Sequence, residues 1–275
     1  IRDRFYIMLK RQFNLVLNFD VINMTTEKAV IKESYEKITI KGAEVNEEKI
    51  RKFLESSKLS ARTLIIDGCK IYQRTLVWIL NYLENVEELK IRNINDIPPT
   101  FTFEALKDKD LPLMPELKKL EMRSLNFSIL HLFTKVTSLV DLKLDSFKGG
   151  KGVNQIKIFI GNQKKLESLS APLAHIRPGT KSLPKLVKLN IISLQSRARD
   201  HNNINNIFKI APNIEQLSLL GSYTSNVYFR YYVRFDERFD INLLMQQSGT
   251  KLKFLKISSK IRKNFTTQQL LTAFP

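Results

Sequence analysis

Cysteine, glycine and proline are all scarce in this chain. Its 275 residues include one cysteine, nine glycines and nine prolines. A single thiol excludes a disulfide framework and any zinc module that needs four cysteines. The low glycine and proline counts exclude collagen-like and linker-like sequence. With a hydrophobic fraction of 43%, the chain can build a folded core.

Long apolar runs are absent as well. The longest nearly uncharged stretch covers residues 75–83, whereas a membrane-spanning helix needs about 20 apolar residues. The first residues do not combine a basic segment with an apolar one, so they do not resemble a signal peptide. We therefore expect no contact with a membrane.

Sequence motifs for catalysis or metal binding are missing too. His131, His175 and His201 lie in different parts of the chain, and none forms a metal-ligand or catalytic motif with carboxylates or with the cysteine. No zinc-protease, paired-cysteine, nucleophile-elbow or EF-hand pattern occurs. We predict that the chain is not an enzyme, and that it uses no cofactor and no metal.

Positive charge is in excess and is unevenly spread. The chain has 45 Lys and Arg against 27 Asp and Glu, a formal net charge of +18. Residues 1–147 are nearly balanced, with 24 basic and 21 acidic side chains, but residues 148–199 have 11 and 1. The basic C-terminal half favours an acidic protein partner. Nucleic acid is the less favoured interpretation, because it needs Lys and Arg gathered on one face with exposed aromatic residues.

One apolar pattern recurs along the chain. The six-residue frame apolar-x-x-apolar-x-apolar occurs nine times, starting at positions 35, 61, 86, 117, 139, 166, 186, 214 and 252. The mean spacing of about 27 residues is typical of leucine-rich repeats. Alternate residues of a short strand point to opposite faces, so each frame can bury its apolar positions together.

Helical spacing of apolar residues separates the frames. It predicts helices over residues 47–58, 71–83, 127–136, 153–164, 204–210 and 241–247,. Prolines 115, 184 and 212 precede later frames, where they would end a helix and favour an extended approach to the strand. The predicted fold class is therefore α/β, a leucine-rich-repeat solenoid or horseshoe with parallel strands on the concave side and helices on the convex side.

The domain organisation follows from the same pattern. We expect residues 1–34 to form an N-terminal lead-in or capping segment after an upstream domain that this chain does not contain. Residues 35–275 would form a repeat domain of about nine repeats that is truncated at its C-terminus.

The repeat type indicates an intracellular protein, in the cytoplasm or the nucleus. The asparagine that commonly follows the strand in extracellular repeats is absent, and Cys69, Ile94 and Leu125 occupy that position. Cys69 is predicted to be a small buried apolar residue.

Three segments resemble the F-box/leucine-rich-repeat proteins of insects and other animals. Residues 3–20 (DRFYIMLKRQFNLVLNFD) resemble the stretch after an F-box, and residues 34–45 (SYEKITIKGAEV) and 60–71 (SARTLIIDGCKI) resemble the first two repeats. The resemblance implies repeats that capture substrates for a cullin–RING ubiquitin ligase, with the ligase adaptor bound by an F-box upstream of Ile1. The alternative is a ligase-independent intracellular scaffold or sensor that binds an acidic protein or RNA through its basic C-terminal half.

Residues that point outward from the predicted strands are the candidate contacts for a protein substrate or peptide on the concave face. Those selected are Lys90, Lys119, Glu121, Lys143, Lys188, Asn190, Ser218 and Lys256. Cross-strand pairs of opposite charge can also serve only to stabilise the sheet, and the sequence leaves both interpretations open.

An aromatic and basic insertion lies between the frames at 214 and 252. Tyr228, Arg230, Tyr232 and Arg234 stand out in it, because Tyr and Arg are enriched at interface hot spots. The same alternation fits a strand or hairpin packed on the solenoid edge. The two interpretations weigh equally.

Overall fold

The structure, a computed structural model, consists of two compact units. The first contains residues 1–139 and 146–149, and the second contains residues 140–145 and 150–275. The structure describes residues 14–18, 34–42, 44–57, 60–94, 110–145, 147, 153–172, 175–176, 180–192, 207–220 and 251–257. Within these residues the fold is α/β, with ten parallel strands and few helices.

The first unit contains five parallel strands in chain order. They are β1 (Asn14–Asn18), β2 (Ser34–Lys41), β3 (Ser60–Asp67), β4 (Glu88–Arg92) and β5 (Lys119–Arg123). Helix α1 (Glu47–Ser57) connects β2 to β3, helix α2 (Gln73–Tyr82) lies between β3 and β4, and a 3₁₀-helix (Phe127–Phe133) follows β5.

The second unit repeats this arrangement with strands of four or five residues. They are β6 (Asp141–Asp145), β7 (Ser168–Ala171), β8 (Lys188–Ile191), β9 (Gln216–Leu219) and β10 (Phe254–Ile257), again parallel and paired in chain order. Helix α3 (Val153–Asn162) follows β6, and helix α4 (Ile207–Ile210) precedes β9.

Each of the nine predicted frames overlaps a strand, β2 to β10. In β4, for example, Leu89 and Ile91 are fully buried, while Glu88, Lys90 and Arg92 remain partly accessible. This alternation follows from the two-residue period of a strand. The frames therefore identify the strands and the side chains that fill the core.

A tight turn leads into several of the strands. The amide of Leu186 donates to the carbonyl of Leu183 at 3.1 Å, and Pro184 occupies the second position of that turn. Equivalent turns place Pro115 before β5 and Pro212 before β9. Proline suits this position because its fixed φ matches the turn. The prolines thus lie just before the strands, as expected, but in tight turns rather than in an extended approach, and only Pro212 closely follows a described helix.

The residue directly after each of four strands has a positive φ. These residues are Gly42 at 124°, Gly68 at 66°, Asn93 at 51° and Ser124 at 56°. In this left-handed turn the amide of Gly68 donates to the carbonyl oxygen of Arg92 at 3.1 Å. In the same way, the amide of Asn93 donates to the carbonyl oxygen of Arg123 at 3.0 Å. The same backbone device thus ends β2, β3, β4 and β5, although only two of the four residues are glycine.

The helix predictions are confirmed for α1, α2 and α3 within one or two residues at each end. The helix predicted over residues 127–136 is a shorter 3₁₀-helix instead. There the amide of Thr134 donates to the carbonyl of His131, three residues back, at 3.3 Å, and the tighter turn stops after Phe133. The helix predicted over residues 241–247 lies outside the described residues.

Strand β1 was not expected from the sequence. It pairs in register with β2, Val16 opposite Thr39, inside the segment predicted as a lead-in. Its sequence NLVLN has three consecutive apolar residues, and it lacks the six-residue frame that marks the other strands.

Candidate functional site

The polar side chains of the strands form a regular surface in each unit. We call the strand positions that alternate with the buried ones the outer face. In the first unit, register places its residues in three rows across β2 to β5. These rows are Lys37, Thr63, Glu88 and Lys119; then Thr39, Ile65, Lys90 and Glu121; then Lys41, Asp67, Arg92 and Arg123.

Two ion pairs join four of the charged side chains on the first-unit outer face. Lys90 Nζ lies 2.9 Å from Glu88 Oε1 on the same strand. Arg92 donates from Nε and Nη2 to Glu121 Oε1, at 2.9 and 2.7 Å, and this hydrogen bond raises the pKa of Arg92. The sequence assigned Lys90 and Glu121 to partner binding. In the structure Glu121 forms a cross-strand pair, which can stabilise the sheet,, whereas Lys90 pairs within its own strand.

Lys119 differs from these two residues. Its side chain is exposed, and it forms no ion pair with another residue of the described part of the first unit. Of the first-unit residues that the sequence proposed as partner contacts, Lys119 is the one without an ion pair among the described residues.

The row through Asp67 and Arg92 was missed by the sequence analysis. Asp67 accepts a hydrogen bond from Asn93 Nδ2 at 3.0 Å, so the row contributes polar contacts at the end of the strands. The six-residue frame stops one position before it. The signal was available, because the polar–apolar alternation continues for one more residue in β3, β4 and β5.

The second-unit outer face has two rows across β6 to β10. One contains Asp141, Ser168, Lys188, Gln216 and Phe254; the other contains Lys143, Ser170, Asn190, Ser218 and Lys256. All five second-unit strand residues that the sequence selected therefore lie on this face: Lys143, Lys188, Asn190, Ser218 and Lys256.

The electrostatics of this face differ from those of the first unit. Lys143 Nζ lies 3.8 Å from Asp141 Oδ2, a loose ion pair. Lys188 and Lys256 are exposed and make no ion pair with any residue that the structure describes. From β7 to β10 the described outer positions include no carboxylate. The part of the face from β7 to β10 is therefore basic, whereas β6 adds the carboxylate of Asp141 beside Lys143.

Small polar residues separate the lysines. Ser170 and Ser218 are only 9% and 8% exposed, and Asn190 Nδ2 donates to Ser170 Oγ at 3.0 Å. Because the serine side chains are short, the centre of this face lies closer to the backbone than the ends of the longer lysine side chains do. A chain lying on the face could thus reach several strands at once.

Comparison with known proteins gives no family for this chain. No protein-family model matches the sequence, and no curated protein matches it either. The geometry of the described residues therefore carries the functional argument.

Outside the outer faces, the described residues include one cysteine and two histidines. No group of three or more His, Cys, Asp or Glu that could hold a metal ion occurs in the described part of the chain. Cys69 is fully buried, as predicted, and burial raises the pKa of its thiol to about 12. His175 is buried and His131 is half-buried. None of the helices described is long and apolar enough to cross a membrane.

The aromatic and basic insertion lies outside the residues that the structure describes. Tyr228, Arg230, Tyr232 and Arg234 lie outside the described residues, so their assignment stays a prediction. The candidate site consists of the two outer faces, described separately for the two units.

Proposed function

We propose that this chain is a protein-interaction module built as a leucine-rich-repeat solenoid, whose strands line the concave side. Three repeated features support the repeat assignment: the apolar frame, the turn before the strand and the left-handed residue after it. Each recurs at equivalent positions of successive strands. Repeats of this kind stack into extended binding surfaces.

The observation that carries the proposal is the register of the outer faces. Successive parallel strands place one polar side chain after another at a separation of about 4.8 Å, as in the row Lys143, Ser170, Asn190, Ser218 and Lys256. Such a surface has many polar groups at fixed spacing, which suits recognition of a protein or peptide.

Within this class, we propose that the module is the substrate-recognition part of an F-box-type subunit of a cullin–RING ubiquitin ligase, acting inside the cell. The resemblance of residues 3–20, 34–45 and 60–71 to F-box/leucine-rich-repeat proteins supports this assignment. The last two of these segments contain β2 and β3, which pair directly. Consecutive repeats of that family would be expected to do the same.

The test is the parent reading frame upstream of Ile1. We expect it to encode an F-box, and we expect the tagged full-length protein to co-purify with the ligase adaptor from cells. Deletion of the upstream segment should abolish this association, while deletion of the basic C-terminal half should preserve it. A full-length protein without an F-box would contradict the ligase assignment.

A second candidate is a ligase-independent scaffold or sensor that uses its basic second unit to bind an anionic partner. The exposed Lys188 and Lys256 favour it. Binding that weakens with salt, and that is lost when Lys185, Lys188 and Lys256 are reversed to Glu, would support this function. Binding that is insensitive to salt would count against it.

A further inference from the structure

Three lysines of the second-unit outer face lie on every second strand. Lys143 is on β6, Lys188 on β8 and Lys256 on β10, and the parallel pairing β6-β7-β8-β9-β10 is continuous. Neighbouring strands are about 4.8 Å apart. The lysine backbones are therefore separated by about 9.6 Å in the direction across the strands.

This spacing matches the repeat of a polyproline II peptide. Such a peptide has three residues per turn and rises about 3.1 Å per residue, so every third side chain points the same way at intervals of about 9.3 Å. Lys188 is displaced by two residues along its strand relative to Lys143 and Lys256, an offset that a flexible lysine side chain can cover.

The residues between the lysines favour an acidic ligand. Ser168, Ser170, Gln216 and Ser218 are neutral, so they do not repel a carboxylate, and the more accessible Ser168 and Gln216 can hydrogen-bond a peptide backbone. On the first unit, Glu88 and Glu121 occupy outer positions and pair with neighbouring cations. An acidic peptide is therefore expected to discriminate between the two units.

Phe254 adds an apolar contact at one end of this face. It is 52% exposed, on the same row as Lys188. Aromatic side chains commonly line the grooves that bind proline-rich peptides.

We infer that the second-unit outer face binds an acidic segment of a partner protein in polyproline II conformation, with Asp or Glu at every third position. The carboxylates pair with Lys143, Lys188 and Lys256, and Phe254 packs against a proline. This inference rests on the proposed function as a protein-interaction module and adds the chemistry of its ligand.

The test uses labelled synthetic peptides and fluorescence anisotropy with the 275-residue chain. The first peptide contains five Asp-Pro-Pro units. The second has the same composition, with five Asp in one block followed by ten Pro. We expect the first to bind about fivefold to tenfold more tightly, because only it can place carboxylates at all three lysines. Equal affinities would overturn the inferred spacing.

Two double variants with the same net charge test the location. Lys188→Ala with Lys256→Ala should weaken binding of the first peptide about tenfold, from two lost ion pairs. The control is Lys165→Ala with Lys209→Ala, whose exposed side chains lie in the turn before β7 and in helix α4. Equal losses in both variants would show that net charge alone attracts the peptide, and would overturn the inference. Circular dichroism checks folding, and the peptide comparison tests the inference with the unaltered chain.

A binding measurement with RNA distinguishes an acidic peptide from a nucleic acid as the partner. A 15-nucleotide oligouridylate should bind more weakly than the Asp-Pro-Pro peptide at the same salt concentration. Tighter RNA binding that depends on Lys188 and Lys256 would overturn the inference in favour of nucleic acid. The peptide result is independent of co-purification with the ligase adaptor, so failure of the ligase assignment and failure of the inferred ligand are distinguishable.

Discussion

Glu121 illustrates how one residue can appear to be a binding contact and yet support the sheet. Its carboxylate accepts two hydrogen bonds from Arg92 on the neighbouring strand, and the two side chains are 22% and 31% exposed. Partial burial limits screening by water, so this pair contributes more than a fully exposed one.

We predict that Glu121→Gln lowers the free energy of unfolding by about 1 kcal/mol, because Arg92 loses its charged partner. Urea denaturation followed by circular dichroism measures this change. The control is Glu116→Gln, since Glu116 is exposed and forms no ion pair with the residues described. A loss for the control as large as that for Glu121→Gln would argue against a specific contribution of the pair.

Cys69 allows a second prediction at the same scale, because it is the one cysteine of the chain. Its thiol is fully buried and has a pKa of about 12, so the folded chain holds almost no thiolate at pH 8. We expect reaction with a disulfide reagent to be slow in buffer and fast in 6 M guanidinium chloride. Rapid labelling of the folded chain would contradict the buried position.

The raised pKa of Cys69 determines how the stability of the chain changes with pH. An unfolded thiol ionises near pH 9, whereas the folded one stays neutral up to about pH 12. The unfolded state therefore gains charge first, and stability linked to this group is lost as the pH rises from about 9 to 12,.

At the scale of an element, the left-handed residue after the strand is the feature most open to test. Gly68 has a φ of 66°, and no atom lies within 4 Å of the Cβ that alanine would add. Any cost of Gly68→Ala is therefore a backbone cost, which we predict to be about 1 kcal/mol. The equivalent Ser124 already has a φ of 56°.

The matched variant is Ser124→Gly, which relieves the left-handed strain but adds freedom to the unfolded chain. We expect it to leave stability unchanged or to raise it by less than about 1 kcal/mol. Thermal unfolding of both variants provides the comparison. If Gly68→Ala were neutral while Ser124→Gly was destabilising, the conformational account of these positions would be wrong.

The strands could be predicted from the sequence because burial imposes a two-residue period that the apolar frame records. Strand β1 and the exact end of each strand could not, since neither carries the complete frame. The outward positions were also predictable, but their pairing was not. That Arg92 reaches Glu121 depends on the register between β4 and β5, and the local sequence does not contain this register.

For the whole molecule, the net charge of +18 becomes informative only when it is assigned to surfaces. On the first-unit outer face, cations such as Lys90 and Arg92 are matched by neighbouring carboxylates. On the second-unit outer face, Lys188 and Lys256 have no such match among the described residues. An anionic partner should therefore be drawn to one unit although lysines occur in both.

This contrast can be measured by chemical acetylation of lysines, read by mass spectrometry, with and without the Asp-Pro-Pro peptide. We predict that the peptide slows acetylation of Lys188 and Lys256 about threefold or more, since each exposed ion pair is worth up to about 1 kcal/mol. Lys119, which is also exposed but lies on the first unit, should react at an unchanged rate. Because exposed ion pairs are screened by salt, 0.5 M sodium chloride should remove the protection. Equal protection of Lys119 would show that the peptide does not distinguish the two outer faces.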